Sequence, residues 1–320
     1  MKTFELKTAT DSLTMPKITF GAGVFDNVEK QQLYFDMLDF YFKHGGTCID
    51  TARVYCAWVE GGDGLSESIT GQWIEKRHNR DRIIISTKGG HPPLGNMKKS
   101  RLDKDSINSD ISESLEALRT NYIDIYFLHR DDESKEVSEI MPILHELVTS
   151  HKVRFLGASN WSAKRIAEAN EYATKNNLTP FVVSQIFFSL AITTPLGYAD
   201  ETLVCMNDAE YQWYLENNFP VMAFGSQAKG FFTKYIATSQ LNRKIEDRFN
   251  CAQNIKRAEN VARLCRKLSC SPAAAALAYL TNNQVQTSAV VGFSALAQIK
   301  DSLSENEIYL NKNDIAFLEG

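Results

Sequence analysis

Short apolar runs of strand length recur along the chain, separated by longer stretches of helical periodicity. No other feature limits the fold as much. The runs are Lys17–Gly23, Cys48–Thr51, Arg82–Lys88, Ile123–His129, Val153–Ala158, Phe181–Gln185, Pro220–Phe224 and Ala289–Gly292. After Asp105-Ser106, residues Ile107, Ile111, Leu115 and Leu118 recur at spacings of three and four, the period of one helix face. Asn254–Leu268 is a second helix, and Ser271–Tyr279 a third, with a serine cap and Pro272 at its first position. Strands that alternate with helices pair in parallel and are buried on both faces. Eight such units predict a closed (β/α)8 TIM barrel, with a doubly wound sheet as the alternative. The latter is weakened because Gly21-Ala22-Gly23-Val24-Phe25-Asp26 lacks the third glycine of a dinucleotide-binding turn. With no composition break, residues 1–320 read as one barrel domain. Phe4–Met15 forms a capping hairpin that turns at Thr10-Asp11-Ser12, and residues 304–320 form a short tail.

Composition removes several functional classes. Thirty-five Lys and Arg against 39 Asp and Glu give a net charge of −4, without the basic surplus of a chain that grips phosphate backbones. Nucleic acid is therefore not an expected partner. No run approaches the roughly 20 apolar residues of a membrane span, and the N-terminus has no signal-peptide core. Six cysteines without a C-x-x-C pair give neither a disulfide framework nor a metal site. A reducing cytoplasm fits this usage.

In a barrel of this kind the active site lies at the C-terminal ends of the strands. Asp50 and Tyr55 follow the second strand, Lys88 ends the third and His129 ends the fourth. Taken singly, the lysine and histidine also read as ordinary rim residues, and the tyrosine as loop packing. Together on one quadrant they form a proton donor. An ammonium beside a phenol lowers the phenol's pKa, a carboxylate keeps the lysine charged, and an imidazole holds a carbonyl oxygen. That set suits reduction of an aldehyde or ketone, with the hydride supplied by a cofactor.

Asp50-Thr51-Ala52-Arg53-Val54-Tyr55, Ser86-Thr87-Lys88 and Leu128-His129 resemble the catalytic tetrad segments of aldo-keto reductases. The likeness covers about residues 2 to 303, and the short tail is similar to that of a bacterial-type member. The resemblance implies Tyr55 as the acid in reduction, with Asp50, Lys88 and His129 in the family's supporting roles. Gly157-Ala158-Ser159-Asn160 is similar to the segment whose Ser and Asn hold the nicotinamide carboxamide, a task shared with Gln185. Phe224 falls where the family usually stacks a tyrosine on the nicotinamide. Gly225-Ser226-Gln227-Ala228-Lys229-Gly230 corresponds to the pyrophosphate loop, although it departs from the commoner Ser-Pro-Leu form and also reads as a plain surface turn. Gly23 after the first strand, Asp50 at the second, and Gly292, Ser294, Gln298 and Ser302 after the eighth complete the implied cofactor set. Ser294, Gln298 and Ser302 are spaced to share a helix face. Many NADP-dependent members carry a cation where Ser294 or Gln298 stands. The implied cofactor is NADPH, with NADH or dual use open.

Trp58, His91, Arg130, Trp161 and Phe188 are the candidate walls of a pocket for a small-molecule carbonyl substrate, with Arg130 also placed to pair with Asp131 or Asp132. Cys56 beside Tyr55 reads either as a redox-sensitive thiol or as an inert one. Only a short tail follows Ser302, so an open, polar mouth suited to small aldehydes, hydroxyketones or sugar-like carbonyls is expected. Two other functions fit the same residues: a Schiff-base aldolase or lyase using Lys88, and a nucleotide-binding regulatory subunit that senses redox state. Oligomeric state is not readable.

Overall fold

The computed structural model describes residues 1–320. Eight parallel strands close into a barrel: β3 (Ile18–Gly21), β4 (Cys48–Asp50), β5 (Ile84–Gly89), β6 (Ile123–Leu128), β7 (Val153–Ser159), β8 (Phe181–Phe187), β9 (Val221–Phe224) and β10 (Thr287–Val291), the last pairing back to β3. They are preceded by an antiparallel hairpin of β1 (Thr3–Lys7) and β2 (Ser12–Pro16). The outer layer begins with α1 (Gln31–Lys43), α2 (Leu65–Arg77), α3 (Lys104–Ala117), α4 (Val137–Thr149) and α5 (Ala163–Lys175). The β8–β9 connection carries α6 (Pro195–Tyr198) and α7 (Asp208–Glu216), and the β9–β10 connection α8 (Phe231–Thr238), α9 (Arg243–Phe249), α10 (Ala252–Leu268) and α11 (Pro272–Thr281). After β10 come α12 (Leu296–Leu303) and α13 (Lys312–Glu319). No helix is long and apolar enough to cross a membrane.

All eight expected strands are present, each shifted by a few residues at most. The hairpin turn differs from expectation. Thr8 N–H donates to the Asp11 carbonyl at 2.9 Å, and Ser12 is already paired with Lys7. Arg154 of β7 holds Asp11 in place from Nε, 3.0 Å from Oδ2, so a tertiary contact fixes the turn where local propensity left a choice. The helix expected from Asp105 starts at Lys104, because Asp103 accepts from Ser106 N–H at 2.9 Å and caps it. Ser271 caps α11 as its sequence implies.

Two cores divide the molecule. A large one lies between barrel and helices; a smaller one fills the barrel with Cys48, Ile84, Ile125, Phe127, Phe155, Val183 and Met222. Phe4, Leu6, Leu13 and Met15 of the hairpin belong to this inner core and stopper the barrel at its N-terminal end. Side chains alternate across a strand, so the inward set continues upward by twos: Cys48 to Asp50, Ile84 to Ser86 and Lys88, Phe127 to His129, Val183 to Gln185, Met222 to Phe224. The period that packs the core also delivers the polar groups to the open end.

Close helix packing adds a constraint at Gly71 of α2. A Cβ there would lie 2.2 Å from the Ala117 carbonyl oxygen, at the end of α3. Backbone cannot yield as a side chain tip does, so Gly71→Ala is expected to destabilise the fold by about 2–3 kcal/mol, despite the better helix propensity of alanine. The shift of the urea midpoint measures this; an unchanged midpoint would show that α2 is free to move away.

Candidate active site

Lys88 is the hub of the open end. Its Nζ donates to Asp50 Oδ2 at 2.7 Å, to the Thr51 carbonyl at 2.7 Å and to the Tyr55 hydroxyl at 3.1 Å. Asp50 Oδ1 accepts from Ser86 Oγ at 2.8 Å and from Gln185 Nε2 at 2.9 Å. Asp50, Lys88 and His129 are buried, and Tyr55 is half-buried at the mouth. The His129 ring stands 5.7 Å from the Tyr55 ring, edge to face. The four expected residues converge on one point.

Electrostatics departs from the expectation in one respect. Burial pushes the Tyr55 phenol above its ordinary range, outweighing the pull of Lys88 in the opposite direction. The phenol therefore keeps its proton at neutral pH. Burial alone would lower the Lys88 pKa, but the Asp50 carboxylate, together with the Tyr55 hydroxyl, more than compensates and holds it above the ordinary lysine value. Burial, reinforced by Arg130, His91 and Lys88, drives His129 well below its usual range, so its ring is neutral.

Beside this cluster runs a groove of about 820 Å³ between the loops after β9 and β10, within the range of small-molecule and cofactor sites. Gly225, Ser226, Gln227, Lys229 and Gly230 line one side, and Gly292, Ser294, Gln298 and Ser302 the other. Gly225 has φ +66°, a left-handed turn that glycine adopts without strain. Ser226 Oγ donates to the Val290 carbonyl at 2.7 Å, and Gln227 Nε2 to Ser302 Oγ at 3.2 Å, tying the two loops together. Ser294 does not share a helix face with Gln298 and Ser302, because α12 begins only at Leu296. Its N–H and hydroxyl instead donate to Gln298 Oε1 at 2.8 and 3.1 Å. Sequence reasoning missed the groove's other cations, Lys234, Lys244 and Arg248. The run of basic residues from Lys229 to Arg248 was the available signal, but only the α8–α9 fold turns it toward the groove. Ser86 was also missed, although it precedes Lys88 by one strand repeat.

The remaining cofactor candidates occupy the rim unevenly. Gly23 lies against Tyr55, where a Cβ would stand 3.3 Å from the ring. Ser159 and Gln185 are buried at the strand ends, and Phe224 is half-buried with its ring 5.8 Å from Phe187. The Asn160 amide is engaged within the chain, accepting from Val204 N–H at 3.2 Å and donating to the His129 carbonyl at 3.3 Å. Among the pocket candidates, Trp58 is 58% exposed, with its ring 6.3 Å from Tyr55, and His91 stands 4.7 Å from His129. Two others do not wall the mouth. Trp161 is fully buried against Phe181, and Phe188 packs between Tyr211 and Tyr279 on the outer side of the barrel. Arg130 pairs with neither Asp131 nor Asp132 but with Asp200, at 3.3 Å, and Asp131 pairs with Arg165. The Cys56 thiol is buried, faces the Phe25 carbonyl at 3.3 Å and is pushed up to about 11 by burial. Burial and a raised pKa favour the inert reading of this thiol over the reactive one.

The model of the aldo/keto reductase family matches residues 17–320. The chain belongs to that family. Among its aldo/keto reductase relatives is norsolorinic acid reductase of Aspergillus flavus, 37% identical over 56% of this chain and 47% of the relative. Norsolorinic acid reductase B of Dothistroma septosporum is 26% identical over 97% of this chain and 79% of the relative. An aryl-alcohol dehydrogenase [NADP(+)] of Phanerodontia chrysosporium is 35% identical over 51% and 42%. Two of these three matches thus span less than half of the relative's own length. All three relatives are fungal, and none supports the expected bacterial type.

Proposed function

We propose that this aldo/keto reductase, acting as one barrel domain, reduces aldehydes and ketones to alcohols with NADPH, and that aryl carbonyls are among its substrates. The observation that carries the reading is the Lys88 ammonium bridging Asp50 and Tyr55. Tyr55 retains its proton until a carbonyl oxygen arrives and then passes it to that oxygen. As negative charge develops on the phenol, Lys88 stabilises it across 3.1 Å, an interaction stronger in the transition state than in the ground state. Asp50, held by Ser86 and Gln185, keeps Lys88 charged and aimed. Neutral His129 positions the carbonyl oxygen. When bound, the nicotinamide supplies the hydride. Ser159, Asn160, Gln185 and Phe224 would hold the nicotinamide end. The loop from Gly225 to Gly230, with Gly23 nearby, would take the pyrophosphate, and Gly292, Ser294, Gln298 and Ser302 the adenosine end.

The groove fits an anionic dinucleotide through its size, its tied loops and its four cations. Those cations favour NADPH over NADH, between which the neutral Ser294 and Gln298 discriminate little by themselves. Trp58 over the mouth and the names of the relatives favour aryl carbonyls. A lysine held above its ordinary pKa by a buried carboxylate supports a proton relay over a Schiff-base amine, which must lose its proton to act.

Titration with NADPH and NADH, followed by turnover on a panel of aryl and aliphatic carbonyls, tests this reading. Tight binding of NADPH with no turnover on any carbonyl would overturn it. Arg248→Ala removes a charge-assisted contact and is expected to raise the Kd of NADPH by about tenfold or more. Because Arg248 lies away from the tetrad, kcat at saturating cofactor should stay within about twofold.

A further inference from the structure

Beyond the tetrad, the residues just after β5 and β6 supply three polar side chains to the rim: His91, Arg130 and Asp131. Two already face partners within the chain. Arg130 donates from Nε to Thr202 Oγ1 at 2.9 Å, from Nη1 to the His129 carbonyl at 2.9 Å and from Nη2 to Asp200 at 3.3 Å. Asp131 faces the Arg165 guanidinium at 3.3 Å.

His91 differs. Its Nδ1 lies 2.6 Å from the Pro92 carbonyl oxygen. A carbonyl only accepts, so Nδ1 carries the proton. Burial and the nearby Arg130 charge lower the ring's pKa to about 4, which leaves it neutral. A neutral imidazole protonated at Nδ1 has an acceptor at Nε2, and Nε2 makes no hydrogen bond within the chain. The half-buried ring stands edge-on to His129, 4.7 Å between centroids. A tautomer-fixed acceptor thus adjoins the group that positions the carbonyl oxygen.

We propose that His91 is a specificity-determining residue whose Nε2 accepts a hydrogen bond from a hydroxyl one or two carbons from the substrate carbonyl. The preferred substrates are then hydroxy-carbonyl compounds, rather than plain or O-alkylated carbonyls. This rests on the reductase reading given above. An alkoxy substrate covers the nitrogen without offering a donor and leaves it desolvated and unpaired, which is the basis of discrimination at hydrogen-bonding sites.

The test compares kcat/KM for α-hydroxyacetophenone, α-methoxyacetophenone and acetophenone in the wild type, His91→Phe and His91→Gln. The wild type is expected to prefer the hydroxy over the methoxy ketone by about tenfold. In His91→Phe the ratio should fall to near one, whatever the change in the rates common to all three ketones, with NADPH affinity unchanged. His91→Gln, which restores an acceptor, should recover part of the preference. An equal ratio in wild type and His91→Phe, or no preference in the wild type while acetophenone turns over, overturns the role of His91. If the wild type reduces none of the three ketones nor benzaldehyde, the reductase reading itself fails.

Discussion

Tyr55→Phe is expected to lower reductase kcat by roughly 10²–10⁴-fold, the range for losing a positioned general acid, while leaving the Kd of NADPH within about twofold. The ring and its packing against Gly23 remain, so the substitution removes one oxygen and little else. The Lys88 ammonium keeps its bonds to Asp50 and the Thr51 carbonyl, and the buried charge is not orphaned. The fold should therefore hold, and the loss should appear in kcat and kcat/KM alike, as for an interaction made in the transition state. Single-turnover rates at saturating NADPH measure it directly. Wild-type rates would show that another group delivers the proton.

Lys88→Met should be damaging in two ways at once. Activity should fall at least as far as in Tyr55→Phe, because the phenol keeps its burial and loses the cation that offsets it. Stability should also fall, by about 3–5 kcal/mol, since Asp50 is then buried without its counter-charge. Asp50 still accepts from Ser86 and Gln185, and that places the effect toward the lower end of this range. Urea unfolding of Lys88→Met beside the double variant Lys88→Met/Asp50→Asn separates the contributions. The double variant should recover most of the stability and none of the activity. If Lys88→Met alone unfolds at the wild-type midpoint, the pair carries little of the fold.

The barrel was legible because its strands are buried on both faces and announce themselves as apolar runs, and because inward alternation carries the same register from core to site. That is why the sequence alone places Asp50, Lys88 and His129 at the barrel's open end. Tyr55 was legible through its motif. The cofactor groove was less so. Lys234 sits on α8, whose direction is set by packing against α10 and α11, and Lys244 and Arg248 on α9, which packs against α6 and the turn Ala228–Gly230; local sequence carries no record of that. Trp161 misled for a related reason: an aromatic residue next to a site motif is equally suited to line a pocket or to fill the layer behind it, and Phe181 decides between them. Arg130 was read as pairing with its neighbours in sequence, whereas its partner Asp200 is brought by the long β8–β9 connection. The sign of the Tyr55 shift depends on the depth of burial, a three-dimensional quantity.

The stopper formed by β1 and β2 has a consequence for the order in which the chain assembles. This hairpin, N-terminal to every barrel strand, seals a barrel whose closing strand, β10, is the last of the eight in the chain, and Ser288 on that strand donates to the Pro16 carbonyl at 2.7 Å. Lys2 reaches further still, to the carbonyl of Ile308 at 2.7 Å. Contacts of such long sequence separation form late and slowly. The apolar side of the hairpin must therefore wait, exposed on the nascent chain, until nearly the whole barrel has left the ribosome. Throughout the interval between its synthesis and its burial, that apolar surface is open to aggregation.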